Sequence, residues 1–540
     1  NSYTISNFNE LDTLIDSAEN TEIRLKVKES CDEHLIHTRN SIIALYISGV
    51  ISLSRQVIDD SNLIKIINIF TDNHKWNIVE FLCNRILSYG ENKFALRTLS
   101  ECYNHENENK KKYEIWKRLI KVDYEEADIV RHLAENEEAE ANIDMAVEYY
   151  KRAIHRYINK KLFSSVKDVW MKLVTLIPDE TDFFFHIEKK VSKINSTERA
   201  SQLLDDLYEV HKSKEQWTKC ISILKRILFY DAKNVSARRE ITESFRQLYK
   251  EHGNLEEYIR LSNLNQSWRN VHDAIGDFEK HISVDEGTFV SHRSWGIGLI
   301  REIKGNNIII DFAKKRGHIM SLKMAVSALT SLKKDHIWVL KSVWPKDKLH
   351  DAVKNNVSWT LKMVIRSFDN TANMKQIKAE LVPSILTAGE WSTWSTEARK
   401  QLKTNPSFGN VPEKIDSFVV RDTPMSFEEK TYNRFKAERG FFGKLKILNE
   451  FLDHSDPESE YFGEIFNYFT AFLKGDTSTN EYVIPSFLII KHIVGIYPFL
   501  NPGITFEFKD LLSDNTEEIE NIFALIEDSD LKQEFLMAIK

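Results

Sequence analysis

Cys31, His34 and His37, in the stretch "CDEHLIH", fall on one helical turn and are of the residue types that bind zinc. A structural zinc site closes with four ligands. No fourth ligand accompanies these three, so the segment reads as the solvated face of a helix. "GFFGKL" (Gly440–Leu445) has the glycines and lysine of a phosphate-binding loop, but its glycine spacing is too short. Leu445 also stands where such a loop needs Ser or Thr to hold magnesium. HExxH, GxSxG and GxGxxG are absent. The carboxylates crowded between Glu125 and Glu148 read as the wet face of helices. The sequence therefore offers no catalytic residue, no metal site and no cofactor site, and the expectation is a protein that is not an enzyme.

The residues that stand out are cations. Glu286–Pro345 holds ten Lys/Arg against four Asp/Glu, a net +6 in a chain of net −7, so the remainder carries −13. An acidic body with a basic insert does not coat nucleic acid or an anionic membrane along its whole length. Within the insert, Arg293, Arg301, Lys304, Lys314, Lys315, Arg316, His318 and Lys323 are the candidate partner-binding residues, and the plainer reading is a solvated rim. No stacking aromatics interleave with these charges outside core positions. That favours a protein partner, with DNA or RNA brushing nearby, over nucleic acid as the main ligand. Trp295, Phe289, Phe312 and Trp338 are the makings of an aromatic cage for a methylated lysine, but they alternate with polar residues as core positions of strands do. The core reading is preferred.

The block that carries these residues is strand-rich. "TFVSH", "GLIREI", "IIIDF" and "HIMSL" are short β-prone runs separated by the turn signals "GNN" and "KKRG". Four or five short strands in so few residues bury their apolar faces by curling into a small barrel. Gly296 and Gly298 would permit a tight turn between the first two strands. "KMAVSALTSL" resumes helical spacing and would cap the barrel.

The rest of the chain is helical. Up to about residue 280, apolar residues recur at i, i+3, i+4 and i+7. "RILSYGENKFALR" (Arg85–Arg97) and "RILFYDAKNVSAR" (Arg226–Arg238) repeat one another. Arg85, Arg118, Arg152 and Arg226 are spaced by 33, 34 and 74, the last being two steps of 37. A period near 34 marks tetratricopeptide-like helix pairs, degenerate here, which would stack into an elongated, curved binding surface. Trp76, Trp116, Trp170 and Trp217 would wedge between paired helices. Asn405–Thr423, with Pro406, Gly409, Pro412 and nearby Pro424, reads as a loop or linker. The expected fold class is mainly α, with a small inserted β-barrel. Its domains are a repeat array (1–280), the barrel with its capping helix (285–345), a helical domain with linker (346–425) and a second helical-repeat region (426–540).

"VSHRSWGIGLI … IIIDFAKKRGHIMSLKMAVSAL" resembles the Tudor-like barrel of UvrD-type helicases and, more distantly, the RNA-polymerase-interaction domain of CarD-type regulators and transcription-repair coupling factors. The order of parts covers most of the chain: degenerate repeats, this barrel closing on "DHIWVLK" (Asp335–Lys341), then "GEWSTWSTEARKQLKTNPSF" (Gly389–Phe408). It resembles the amino-terminal extension of large bacterial Gre-type transcript cleavage factors, with Trp391–Arg399 as its second motif. The resemblance implies docking on RNA polymerase, with strand addition or packing near "RGHIMSL" as the route. Gre factors act through a carboxylate-tipped coiled coil followed by an FKBP-like domain, and neither is found in the sequence. The expectation is the recruiting part without the active tip. A general helical-repeat scaffold with a purely structural barrel is the alternative.

Composition agrees with a folded, soluble, cytoplasmic protein. Of 540 residues 42% are hydrophobic and 29% charged, with only 17 glycines and 10 prolines. The four cysteines are scattered without a CxxC, which points to reduced thiols rather than a disulfide framework. "SIIALYISGVISL" (Ser41–Leu53) is shorter than the ~20 residues a membrane span requires. "VIPSFLIIKHIVGIYPFL" (Val483–Leu500) is interrupted by Pro485, Lys491, His492 and Pro498. Both read as buried helices. The chain begins at Asn1 rather than Met and ends just behind "EFLMAI", as a piece of a longer protein would.

Overall fold

A computed structural model describes residues 3–17, 21–53, 60–410, 416–421, 426–454, 457–474, 482–497, 500, 502–503, 508–511, 516–526 and 529–539. Pro412, Pro424 and Pro498 lie outside them. The protein is mainly α, with one five-stranded and one three-stranded antiparallel sheet among the helices of the described residues. It forms two compact units: residues 1–195 with 431–540, and residues 196–430.

The helix pairs of the array follow from the sequence period. Helices begin at Trp76, Asn109, Ile143, Thr181 and Trp217, spacings of 33, 34, 38 and 36, and each is followed by a second helix, at Lys93, Ala127, Phe163, Thr197 and Val235. Arg85, Arg118, Arg152 and Arg226 are each the tenth residue of their first helix, and Lys190 holds that place in the fourth. The double step of 74 is therefore 38 and 36, with lysine replacing arginine at the missing position. Short connections require a sharp reversal. His74, Asn107, Ala141 and Glu215 adopt left-handed φ of 54–62° two residues before the next helix. The following amide donates to the carbonyl five residues back, as Lys75 does to Phe70 and Gln216 to His211. This is the helix-ending turn usually built on glycine, and its non-glycine residues explain how the repeats manage with so few glycines.

The four tryptophans are not equivalent, against the expectation of a common wedge. Trp76 and Trp217 open their helices and are half-buried, whereas Trp116 and Trp170 are the eighth residues of theirs. Only Trp170 is fully buried, edge-on to Phe184 at 4.8 Å.

The 196–430 unit holds the β-block. Strands β1 (Phe289–His292), β2 (Gly296–Lys304), β3 (Asn307–Phe312), β4 (Lys315–Ser321) and β5 (Leu329–Leu332) form an antiparallel sheet in the order β4-β3-β2-β1-β5. Val290, Ile300, Ile308, Ile310, Phe312 and Met320 fill its inner face. A bulge at Arg301 bends β2, which lets one strand serve both halves of the curled sheet. Gly296 has φ of +72°, a conformation that a side chain disfavours. Gly298 is needed for space, because a Cβ there would sit 2.6 Å from the Phe312 ring. The helix expected over "KMAVSALTSL" stops at Ala328, and "LTSL" is β5, paired with β1. "DHIWVLK" does not simply close the barrel: Ile337 and Leu340 belong to the core of the next domain.

That domain runs through helices Lys346–Asn355 and Val357–Ser367, strand β6 (Ala372–Asn373) and helices Met374–Leu381 and Ala388–Thr404, and ends in strands β7 (Phe408–Asn410) and β8 (Ser417–Val420). The expected linker is thus partly a hairpin, and β6-β8-β7 form a small sheet. The described residues from 427 to 539 are mainly helical around a phenylalanine-rich core that includes Phe441, Phe451, Phe462 and Phe469. Among the described residues no helix is long and apolar enough to cross a membrane. Leu45–Leu53 is almost wholly buried, as is Val483–Ile490.

Candidate functional site

The register of the small sheet fixes where each candidate cation can act. The β1–β2 and β3–β4 turns lie at one end, and the β2–β3 turn lies at the other. Arg293, Lys314, Lys315 and Arg316 are exposed at the first end. Lys304 is at the second, joined by Lys323, because the neighbouring Leu322 amide donates to the Asn306 carbonyl at 2.8 Å. Arg301 sits between the two ends. The eight candidates therefore do not make one patch. Two are also partly neutralised, Arg301 by Asp311 at 3.3 Å and Lys304 by Glu302 at 2.9 Å.

The first end has a built centre. Trp295 stacks on His292 at 4.1 Å and meets the tilted His318 ring at 4.2 Å. The Lys315 ammonium stands 5.1 Å from the indole centre, close enough for a cation–π contact. The backbone amides of Ser294 and Trp295 both donate to His292 Nδ1, at 3.1 and 3.3 Å, which fixes the ring and the turn together. Desolvation, with Lys315 and His292 alongside, holds the His318 pKa below the ordinary histidine range. That environment favours the neutral ring of His318.

Among the described residues β4 pairs with β3 alone, so its outer side is a sheet edge. Ile319 on this strand is 61% exposed and lies one residue from the buried Met320, on the outward side of the strand. The Asp311 carboxylate accepts from the Gly317 amide at 2.7 Å and keeps the start of β4 in register.

The aromatic residues divide. Phe312 is core at 1% exposure, Phe289 and Trp295 are half-buried, and Trp338 is 36% exposed. Trp338 is thus not a core residue of the sheet: it packs edge-on against Phe368 and donates to Glu380. Cys31, His34 and His37 lie on helix Thr21–His37, with the Cys31 thiol pKa raised chiefly by burial. Among the described residues, no three His, Cys, Asp or Glu side chains are grouped to hold a metal ion.

A second cationic surface lies outside the candidates read from the sequence. Helix Ala388–Thr404 buries Trp394, Ala398 and Leu402, and Trp394 Nε1 donates to the Val353 carbonyl at 2.9 Å. Its opposite face exposes Ser392, Thr393, Thr396, Arg399, Lys400 and Lys403. The sequence does carry a signal for this helix: "TAGE" is an N-terminal capping box, and Thr387 and Glu390 bond reciprocally as that motif requires. Lys354, the Thr387 amide and His350 also bond Glu390 and hold its carboxyl at about 2.

Two family models match adjoining segments. The GRAD helix-turn-helix domain covers residues 338–425 and the GreA-associated C-terminal domain covers residues 427–540. A putative GreA-associated domains protein of Treponema pallidum is 48% identical over 538 residues, 100% of this chain and 82% of that protein. The chain belongs to the GreA-associated domain proteins. Another relative, a protein of Borreliella burgdorferi named transcription elongation factor GreA, is 34% identical over 546 residues. The chain spans 60% of its length. A protein of the same name from Chlamydia trachomatis is 22% identical over 206 residues, 37% of this chain and 28% of that protein.

Proposed function

We propose that this GreA-associated domain protein is a non-enzymatic, cytoplasmic module that binds RNA polymerase and recruits or regulates a Gre-type activity. The finer reading is that β1–β5 form a Tudor-like barrel, akin to those of UvrD-type helicases and CarD-type regulators, and that β4 is the docking edge. One observation carries it: β4 is a sheet edge with Ile319 exposed and the Trp295–His318–Lys315 cluster beside it. Free strand edges invite strand addition, in which backbone hydrogen bonds give affinity and side-chain pockets give specificity. The name of the Borreliella relative supports transcription as the setting.

The test is retention of core RNA polymerase by the full chain and by I319E and R316E variants. Both residues are exposed, so folding should be unaffected. A buried apolar anchor of this size is worth ~1.5–3 kcal/mol, so I319E should weaken retention roughly tenfold or more. Retention that is unchanged by both variants would show the barrel to be structural.

A further inference from the structure

We infer that helix Ala388–Thr404 is the reading helix of a duplex-DNA site. The inference does not rest on the polymerase reading. The architecture is helix Met374–Leu381, a turn, helix Ala388–Thr404, then the β7–β8 hairpin, with β6 completing the small sheet. In helix-turn-helix proteins the second helix enters the major groove with its N-terminal residues toward base edges.

The exposed residues of this helix suit that task in two ways. Ser392, Thr393 and Thr396 occupy the N-terminal half, and their short polar side chains allow close approach to a groove floor. Arg399, Lys400 and Lys403 occupy the C-terminal half on the same stripe, where long cations reach phosphates. None of the three cations has an ion pair among the described residues. The acids of the helix stand off the stripe: Glu390 is bonded by Lys354 and His350, and Glu397 is half-buried and bonded by Gln401. Lys375 and Lys378 are exposed on the preceding helix.

Charge complementarity selects the occupant. Residues 338–425 carry 13 Lys/Arg against 9 Asp/Glu, a net +4 in a chain of net −7. An acidic peptide would also be attracted by such cations, but this stripe has no apolar residue to seat its side chains, and its small polar half suits a groove floor instead. Single strands are usually held by stacking aromatics. The two tryptophans of this helix point the other way, with Trp394 buried and Trp391 half-buried and stacked on it at 5.4 Å. Double-stranded RNA presents a major groove too narrow for a helix.

The experiment is fluorescence anisotropy of the full chain against a labelled mixed-sequence DNA duplex of about 25 base pairs, with the matching single strand and RNA duplex as competitors, over a salt series. The DNA duplex should bind at low salt, with affinity falling as salt rises, and should be displaced least by the other two nucleic acids. Replacing the three cations (R399A, K400A and K403A together) should weaken duplex binding at least tenfold. It should also lower the salt slope by about 2–3, near one for each phosphate left without its cation. T396W, which keeps every charge but fills the groove-facing position, should also weaken binding. A triple variant of the barrel cations (K314A, K315A and R316A) controls for net charge and should leave most of the affinity. Unchanged melting temperatures keep the comparison meaningful, because all these positions are exposed. No duplex binding at low salt, preference for single strands or RNA, an unchanged slope in the helix variant, or an equal loss in the barrel variant would each overturn the assignment.

Discussion

Among the described residues Arg156 is the one lysine or arginine that is buried, and its replacement tests how the C-terminal helices are tied to the array within their unit. At 1% exposure its guanidinium donates to the carbonyls of Ile120 at 2.8 Å, Glu126 at 3.0 Å and Asp123 at 3.2 Å, and it pairs with the Glu458 carboxylate. Those carbonyls lie at the end of helix Asn109–Val122 and just beyond it, where helical backbone has no partner of its own. The Tyr124 ring covers the guanidinium at 5.1 Å. R156L fills similar volume but strips donors from all four acceptors at once. Removing one member of a buried charged pair costs ~3–5 kcal/mol. E458Q leaves the three carbonyl bonds intact and keeps a neutral acceptor, so it should cost about 1–2 kcal/mol. Hydrogen exchange reads the two effects separately. At tenfold per 1.4 kcal/mol, R156L should speed exchange of amides in 457–474 roughly a hundredfold or more, and E458Q about tenfold. A change in protection there of less than about threefold in R156L would refute this role for Arg156. So would a loss of protection in helix Ile42–Leu53, remote from Arg156, as large as that in 457–474.

Two further predictions concern packing and pH. Gly298→Ala places a Cβ 2.6 Å from the buried Phe312 ring and 2.9 Å from Ile310 Cγ2, so overpacking of ~1–3 kcal/mol is expected, and urea unfolding followed by Trp295 fluorescence would measure it. The His155 pKa is pushed down to about 3 by burial first, then by Lys190 at 3.3 Å and His186 with ring centres 6.0 Å away. Below about pH 6.5 the unfolded chain binds a proton that the folded state refuses, so stability should drop as pH falls from 6.5 toward 3, by on the order of 1 kcal/mol per pH unit at most. Urea midpoints between pH 7 and 5 should decline less in H155Q than in the parent chain, and parallel declines would contradict this.

What the sequence disclosed depended on how far apart the interacting residues lie. The repeat is legible because Arg85, Arg118, Arg152 and Arg226 share one place in their helices, and only the lysine at 190 conceals the fifth member. The first four strands are legible because each is a short β-prone run bounded by turn signals. β5 is not: "SALTSL" has helical spacing, and its extended form exists because Leu329–Leu332 completes the edge of β1. β6, β7 and β8 are two to four residues long, too short for any period to show, and the prolines around them read as linker. The cationic stripe on Ala388–Thr404 is hidden for a related reason. Trp391 and Trp394 stand out as a motif, yet their work is to bury the inner face, and the informative residues are the small and basic ones around them.

The distribution of charge gives these pieces a common physical logic. Screening at physiological salt limits electrostatic influence to about 8 Å, so a net charge of −7 for the whole chain says little about what any one surface attracts. What matters is the local balance, and the +9 of residues 286–425 is confined to the sheet and the helix-turn-helix domain beside it in sequence. The acidic helices elsewhere cannot compete for phosphate, and they discourage adsorption at the wrong surface. A polyanion arriving at this chain is therefore selected for one stretch of 140 residues, and within it for whichever cations lack partners. Arg301 and Lys304 are already paired but stand away from the strand end offered for docking, and Arg399, Lys400 and Lys403 are not paired among the described residues. What separates the two proposed surfaces is apolar area. The first end of the five-stranded sheet offers Ile319 on a strand edge beside a tryptophan-centred cluster, as a protein partner requires, and the helix offers charge without apolar area, as a phosphate backbone requires.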